Sequence, residues 1–169
     1  MMEVIQLVGK YLNVPVGPLC YNTDKILTTV LDKKSVEGFA TIILHLTSKS
    51  GHNMSQEELL MSYQWLEHIA MYSNLASSNP TFAKNFLQGI NRALEKMSYL
   101  TGNNLTTTDI AVFYVVQPLV GNLTILEQES LLHLSRWCKH VQAQPRVCSN
   151  CAPISLNTLN LHILAPAVH

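Results

Sequence analysis

The sequence predicts a mainly α protein of the α+β class. A short mixed N-terminal part (residues 1–50) packs on an all-helical part with an extended tail (residues 51–169). Three observations carry this. The runs Ser55-Gln-Glu-Glu58, Thr106-Thr-Thr-Asp109 and Thr124-Ile-Leu-Glu127 each place a hydroxyl three residues before a carboxylate, the spacing at which the two satisfy each other's free backbone N–H groups at a helix start. Pro80 precedes an apolar stripe at helical spacing, Phe82, Phe86, Ile90, Ala93, Leu94 and Met97, and proline suits a first helical position. The stretch Ile26-Leu-Thr-Thr-Val-Leu31 is β-branched and runs into Asp32-Lys33-Lys34, as a strand entering a turn does.

Taken in order, Val4, Leu7, Val8 and Leu12 recur at helical spacing and Pro15, Gly17 and Pro18 follow, so a helix is expected over residues 3–12. After the strand, residues 35–48 read as a helix with Val36, Phe39, Ile43 and Leu46 on one side, closed by Gly51. The Ser55 box opens a helix carrying Leu59, Tyr63, Leu66 and Ala70. The Thr106 box, with Ser55/Glu58 and Thr124/Glu127 the caps of its neighbours, opens the most apolar run, Ala111-Val-Phe-Tyr-Val-Val116. Leu105 and Ile110 flank that box as a hydrophobic staple, and Asp109 complements the helix dipole. Without the cap these residues would read as a buried strand; with it they read as a helix buried on every side. From Thr124 one helix is expected to run to Pro145 with Leu131, Leu134, Cys138 and Val141 inward. Beyond Cys148, alternation in Ile154, Leu156, Leu159 and Leu161 suggests a tail laid over the domain.

Composition narrows the function. The 169 residues can bury a sizeable core, net charge is zero, and only 13% are charged against a usual ~25%. Direct binding of nucleic acid, which rests on clustered Lys and Arg, is not expected, and Lys33-Lys34 reads as a solvated turn. Low charge with 47% hydrophobic residues suggests surface covered by partners. Glu3 and Lys10 interrupt any signal-like apolar run, and no stretch nears the ~20 apolar residues that span a bilayer. The expected setting is cytoplasmic, with reduced thiols and no membrane contact. The sequons at Asn53, Asn104 and Asn122 then have no glycan meaning, and two of them are helix-cap chemistry.

A box and staple opening a fully buried helix is the signature of the helical domain of glutathione-transferase-like proteins. Further runs make the likeness narrower: Gln64-Trp-Leu-Glu67, Tyr99-Leu-Thr-Gly102, Thr106-Thr-Thr-Asp-Ile110, Leu123-Thr124 with Glu127, and Ser135-Arg-Trp137 with His140 and Gln142. Together they resemble the small glutathione-transferase-like scaffold of the multi-aminoacyl-tRNA synthetase complex, the elongation factor 1 epsilon family, over most of residues 35–145. The resemblance implies a truncated thioredoxin-like N-terminal part and a non-catalytic adaptor in translation. It further implies links to the transferase-like domains of methionyl-tRNA synthetase and glutamyl-prolyl-tRNA synthetase, no cofactor, and a nuclear role for some members. Two contact faces are implied. One is a dimer-type face on residues 35–48 and 55–72, with Phe39, Ile42 and Tyr63 as candidate contacts and self-association when the partner is missing. The other is the helix face of Arg136.

The residues give their own reading of each candidate. Arg136 points off the core stripe. Its planar fork suits a specific interface, and the alternative is a surface ion pair with Glu129. A glutathione-dependent transferase or glutathione-binding relative remains an alternative function, and a subunit of the elongation factor 1 complex is another. A glutathione site needs a thiol activator near the first strand, a proline before the third and an acid-Ser pair at a helix start. The strand at residues 26–31 has no proline, unlike the Ile-Pro-Val of related scaffolds; Ser35 follows Lys34; Tyr11 and Cys20 are activators by type only. No catalytic residue is therefore expected. Cys148-Ser-Asn-Cys151 has the spacing of a redox pair or half a zinc site, but it lies in the tail. His140 or His162 would have to complete a metal site, so two ordinary thiols are expected and no metal. His45 and His68 read as structural.

Overall fold

The computed structural model describes residues 1–149 and 151–156. Helix α1 (Met2–Leu12) buries Val4, Ile5 and Val8 and stops at Asn13, which takes the left-handed conformation (φ 56°) with its N–H bonded back into the last turn, a common helix terminator. A three-stranded antiparallel sheet follows, β1 (Leu19–Tyr21), β2 (Leu27–Leu31) and β3 (Lys34–Glu37), in that spatial order. Leu31 pairs with Lys34, which leaves Asp32 and Lys33 as a two-residue turn with φ of 52° and 63°. Two left-handed residues give the turn whose twist matches a hairpin. The Asp32 carboxylate leaves the turn to pair with Lys49 and, at 3.4 Å, with His45.

That hairpin corrects the expected helix at residues 35–48. Lys34–Glu37 is a strand, and helix α2 (Phe39–Lys49) begins only after Gly38, at φ 89°. Val36 fits the inner face of a strand as well as it fits a helical stripe, and the tight turn decides between them. Along β2, Leu27, Thr29 and Leu31 face inward and Val30 outward, the period-two pattern of a sheet covered on one side. Helix α2 lies on that inner face and is itself packed by α1 and by two later helices.

The helical part begins at the Ser55 box, which closes as expected: the Ser55 N–H donates to Glu58 Oε2 at 2.9 Å and the Glu58 N–H to Ser55 Oγ at 3.2 Å. It opens α3 (Gln56–Ser78), and Asn79 then caps α4 (Pro80–Ala93) by accepting the Phe82 N–H at 3.0 Å. Met97, expected in the stripe of α4, lies beyond its end. Helix α5 (Thr107–Gly121) is buried all round from Thr107 to Val116, packed between α1, α2, α3 and a later helix.

The Thr124 box also closes, but the expected single helix after it breaks into α6 (Ile125–Ser130) and α7 (Leu132–Gln142) at Leu131. Side chains reward the break. The buried Asn91 amide oxygen accepts the Leu134 N–H at 3.0 Å and Ser135 Oγ donates to the Gln128 carbonyl at 2.7 Å, so backbone groups freed by the kink are satisfied. Lys84 of α4 binds Glu127 at 2.7 Å. With the Thr124 N–H and hydroxyl, that bond holds the Glu127 carboxyl down at about 2.

The chain then turns through a 3-10 segment, Val147–Ser149. Gln142 grips Ile154 by both backbone groups, at 2.9 and 3.2 Å, and Gln117 donates to the Ala152 carbonyl at 3.0 Å. The tail is thus laid over α5 and α7 as far as Leu156; Leu159, Leu161 and His162 fall outside the described residues.

Asp109 does more than close its box. One carboxylate oxygen accepts the Thr106 N–H and hydroxyl, both at 3.0 Å; the other accepts the Leu100 N–H and Trp137 Nε1–H, both at 2.9 Å. Asp109 and Trp137 are both wholly buried. Burial pushes the carboxyl up from its ordinary range, and the four donors pull the other way. Removing the acceptor strands four donors, two of them, the Leu100 N–H and the Trp137 indole, fixed in the interior. Asp109→Ala should therefore cost about 3 kcal/mol or more, whereas Thr106→Ala should cost ~1 kcal/mol, as a lost cap does. Urea unfolding midpoints check this, and equal midpoints for the two variants would contradict it.

Candidate interaction surfaces

Helix α3 presents apolar side chains on two opposite sides. Its buried row is Ser62, Leu66, Ile69, Ser73 and Ala76, spaced four and three residues apart, as a helix packed along one seam requires. The small serines let the helix sit close to its neighbours, and their hydroxyls meet the sulfurs of Met54 and Met1. Of the apolar residues that the sequence places on this helix, Leu66 is in the buried row, and Leu59 and Tyr63 are exposed. With them stand Leu60 (71% exposed), Met71 (67%) and Leu75. At ~100° per residue, Leu60 and Met71 lie about half a turn round the helix from the buried row. Tyr63 lies between these two and the buried row, and Leu59 and Leu75 sit at opposite edges of the open side, ~160° apart.

The third side of α3 faces α4 through rings. His68 stacks on Phe86 at 5.5 Å with only 10° between planes, and Tyr72 and Trp65 close around it edge-on. Burial pushes the His68 imidazole down, toward its neutral form, the state that packs against aromatic faces. His68 is structural, as expected. Trp65 reaches further, its Nε1–H donating at 3.0 Å to the carbonyl of Leu100, the residue whose N–H binds Asp109.

Phe39 and Ile42 are not surface residues. They are 5% and 0% exposed, inside the core of this chain. The surplus of apolar residues on α2 arises because the helix is covered by the sheet on one side and by α1, α3 and α5 on others, so no second molecule is needed to bury them. Of the three candidate contacts on the dimer-type face, Tyr63 alone remains on the surface.

Arg136 is exposed, and its neighbour Trp137 is core, as their places on one turn require. Its guanidinium makes neither an open fork nor a pair with Glu129. Nη2 donates to the carbonyls of Leu94 and Met97, at 2.8 and 2.9 Å. These oxygens lie at and beyond the end of α4, where the helix dipole is negative and carbonyls lack helical partners. The guanidinium ties α7 to the end of α4, a role that the sequence reading missed. The acceptors are backbone atoms some forty residues away, so no side-chain pattern announces them.

The residues weighed for thiol chemistry do not converge. Tyr11 is on α1, Cys20 on β1 and Ser35 on β3; by the strand register Cys20 and Ser35 flank β2 on its outer face. Tyr11 is half-buried, and burial pushes its phenol up, away from the phenolate a thiol activator would use. Among the described residues no group of three or more His, Cys, Asp or Glu is placed to hold a metal ion, and no described helix is long and apolar enough to cross a membrane.

This arrangement, a small sheet with α1 and α2 packed on a bundle around a capped and buried α5, defines a glutathione-transferase-like α+β protein. Glutathione transferase YghU from Streptococcus pneumoniae, solved with glutathione, superposes with a TM-score of 0.59 at 22% identity, over 72% of this chain and 58% of that one; the likeness is one of fold. Residues 61–145 match the family described as nuclear-export cofactor Arc1p. Eukaryotic translation elongation factor 1 epsilon-1 of Cricetulus griseus is 33% identical over 118 residues, 67% of each chain, and the proteins of that name from Mus musculus and Homo sapiens are 32% identical over the same length and share. The chain belongs to this family of glutathione-transferase-like scaffolds.

Arg136→Ala should lower stability by about 1 kcal/mol, since two carbonyls at a helix end lose a charged donor at an exposed site. Arg136→Lys should recover part of the loss. Thermal unfolding of the three proteins checks it, and an unchanged midpoint for Arg136→Ala would show that the two bonds contribute nothing.

Proposed function

We propose that the chain is a non-catalytic adaptor in translation that joins methionyl-tRNA synthetase to glutamyl-prolyl-tRNA synthetase through their transferase-like domains. The observation that carries the reading is the exposed apolar side of α3. Leu60 and Met71 lie on one side of α3, with Leu59, Tyr63 and Leu75 also exposed along the helix, and such apolar exposure marks a protein contact. The names of the relatives, which place them in translation elongation, support a cytoplasmic role in translation. The Arc1p family description supports a nuclear one beside it. The methionyl enzyme is assigned to α3 and the glutamyl-prolyl enzyme to the face of Arg136. Held at Nη2 by two carbonyls, that guanidinium is ordered before any partner arrives, so less freedom is lost on pairing.

Titration calorimetry of the full chain against each synthetase domain tests the assignment. Leu60→Glu with Met71→Glu should weaken the methionyl contact at least ~10-fold, about 1.4 kcal/mol, leaving thermal stability unchanged because both side chains are exposed. Arg136→Ala, assayed well below its unfolding temperature, should weaken only the glutamyl-prolyl contact, by about 2 kcal/mol. Undiminished binding of both partners to the α3 variant would remove α3 from the account. Retention on immobilised glutathione would favour a glutathione-binding relative instead, and capture of elongation factor 1 subunits without synthetases would favour that complex.

A further inference from the structure

The tail thiols, Cys148 and Cys151, stand together where the chain leaves the helical domain. Arg146 (φ 70°) and the 3-10 segment Val147–Ser149 fold this stretch back on itself. Cys151 Sγ lies 3.5 Å from the Val147 carbonyl, which also accepts the Tyr114 O–H at 3.1 Å. Because the Val147 carbonyl is joined to the Cys148 nitrogen, Cys151 Sγ is folded back over the segment that carries Cys148. Both residues are half-exposed, unlike the wholly buried Cys138, so a small reagent can reach the pair. Beneath it, burial and the two sulfurs push the Tyr114 phenol up to about 12. Tyr114 thus stays a donor and keeps its hold on Val147. Directly after the pair come Ala152 and Ile154, gripped by Gln117 and Gln142.

The geometry points to Cys148 and Cys151 as a reversible oxidation site that a small-molecule disulfide of the glutathione type closes into an intramolecular disulfide, tightening the turn that seats the tail on α5 and α7. The balance is that of thiol–disulfide exchange. Cys148 Sγ attacks one sulfur of oxidised glutathione, the glutathione S–S bond breaks, and the first glutathione leaves, taking the Cys148 proton. Cys151 Sγ then attacks the Cys148 sulfur, expels the second glutathione and gives it the Cys151 proton. The protein loses two electrons and two protons, and one glutathione disulfide becomes two thiols.

The order follows from the setting. Cys151 Sγ is engaged by the Val147 carbonyl, and burial, with the neighbouring Cys148, pushes its thiol up, so Cys148 is the entry point. Once its sulfur is capped, the charge that Cys148 contributes is gone, and Cys151 is freer to ionise and resolve the adduct. A four-residue span closes no long loop, so the effect is local, on the segment held by the two glutamines. A reduced resting state is consistent with a cytoplasmic protein.

The test treats the full chain with oxidised glutathione and maps its thiols by mass spectrometry after non-reducing digestion. Exposed Cys20 serves as the reactive control and Cys138 as the inert one. The expected product has a Cys148–Cys151 cross-link and no glutathione on either residue. Cys151→Ser should trap one glutathione on Cys148, and neither Cys151→Ser nor Cys148→Ser should yield a cross-link. Amide exchange at Ile154 should slow several-fold on oxidation. Stable glutathione adducts on both wild-type residues, or neither residue modified when Cys20 is fully modified, would overturn the site. Unchanged exchange at Ile154 in the cross-linked protein would overturn its effect on the tail. Because the wild-type chain gives the first result, failure of a variant to fold leaves the test decisive.

Discussion

A single buried carboxylate organises the helical part of this protein. Asp109 is inaccessible to solvent and spends its two oxygens on four donors from three places: the Thr106 cap, the loop at Leu100 and the indole of Trp137. An unpaired charge in that position would be strongly destabilising, so the fold is committed to bringing all three segments to it. The apolar helix α5 could sit in several ways against its neighbours, since it is hydrophobic on every side. The carboxylate at its first turn removes that freedom by fixing which loop and which indole meet its N-terminus.

The same set of bonds reaches both candidate contact faces. From the side of α3 that faces α4, behind the open side, Trp65 binds the Leu100 carbonyl, and the Leu100 N–H binds Asp109; from Asp109 the next bond is to Trp137, whose neighbour Arg136 holds the end of α4. The two faces lie on different helices, yet each is anchored within two hydrogen bonds of one carboxylate. Flat or open partner surfaces need rigid support, because ordering on contact reduces affinity. An adaptor with two faces needs that support twice, and here one network provides it.

Much of this was legible in the sequence. The three boxes gave the starts of α3, α5 and α6 because capping is local chemistry between residues three apart, and the apolar run after Thr106 gave the buried centre. What escaped depended on distant atoms. The β3 strand was hidden because Val36 suits two periodicities, and two left-handed residues without glycine, Asp32 and Lys33, form its turn. The break at Leu131 needs Asn91 from another helix. The buried row of α3 is hard to read because it contains Ser62 and Ser73, so the hydrophobic residues and the buried residues of that helix differ. Phe39 and Ile42, candidate contacts by resemblance, are core because the sheet that covers α2 has a strand, β3, where the sequence suggests helix. Arg136 was placed on the surface correctly, but its carbonyl partners carry no mark in the sequence.

The central claim is that Asp109 and Trp137 work as one unit, binding α7 to the start of α5 and so fixing both faces in one frame. A double-mutant cycle of Asp109→Ala and Trp137→Phe, read by urea unfolding, tests it most directly. Each change removes one end of the same 2.9 Å bond. The account predicts that the double variant is more stable than the sum of the single losses implies, by at least ~1 kcal/mol. Additivity within ~0.3 kcal/mol would show that the two residues act independently and would contradict it.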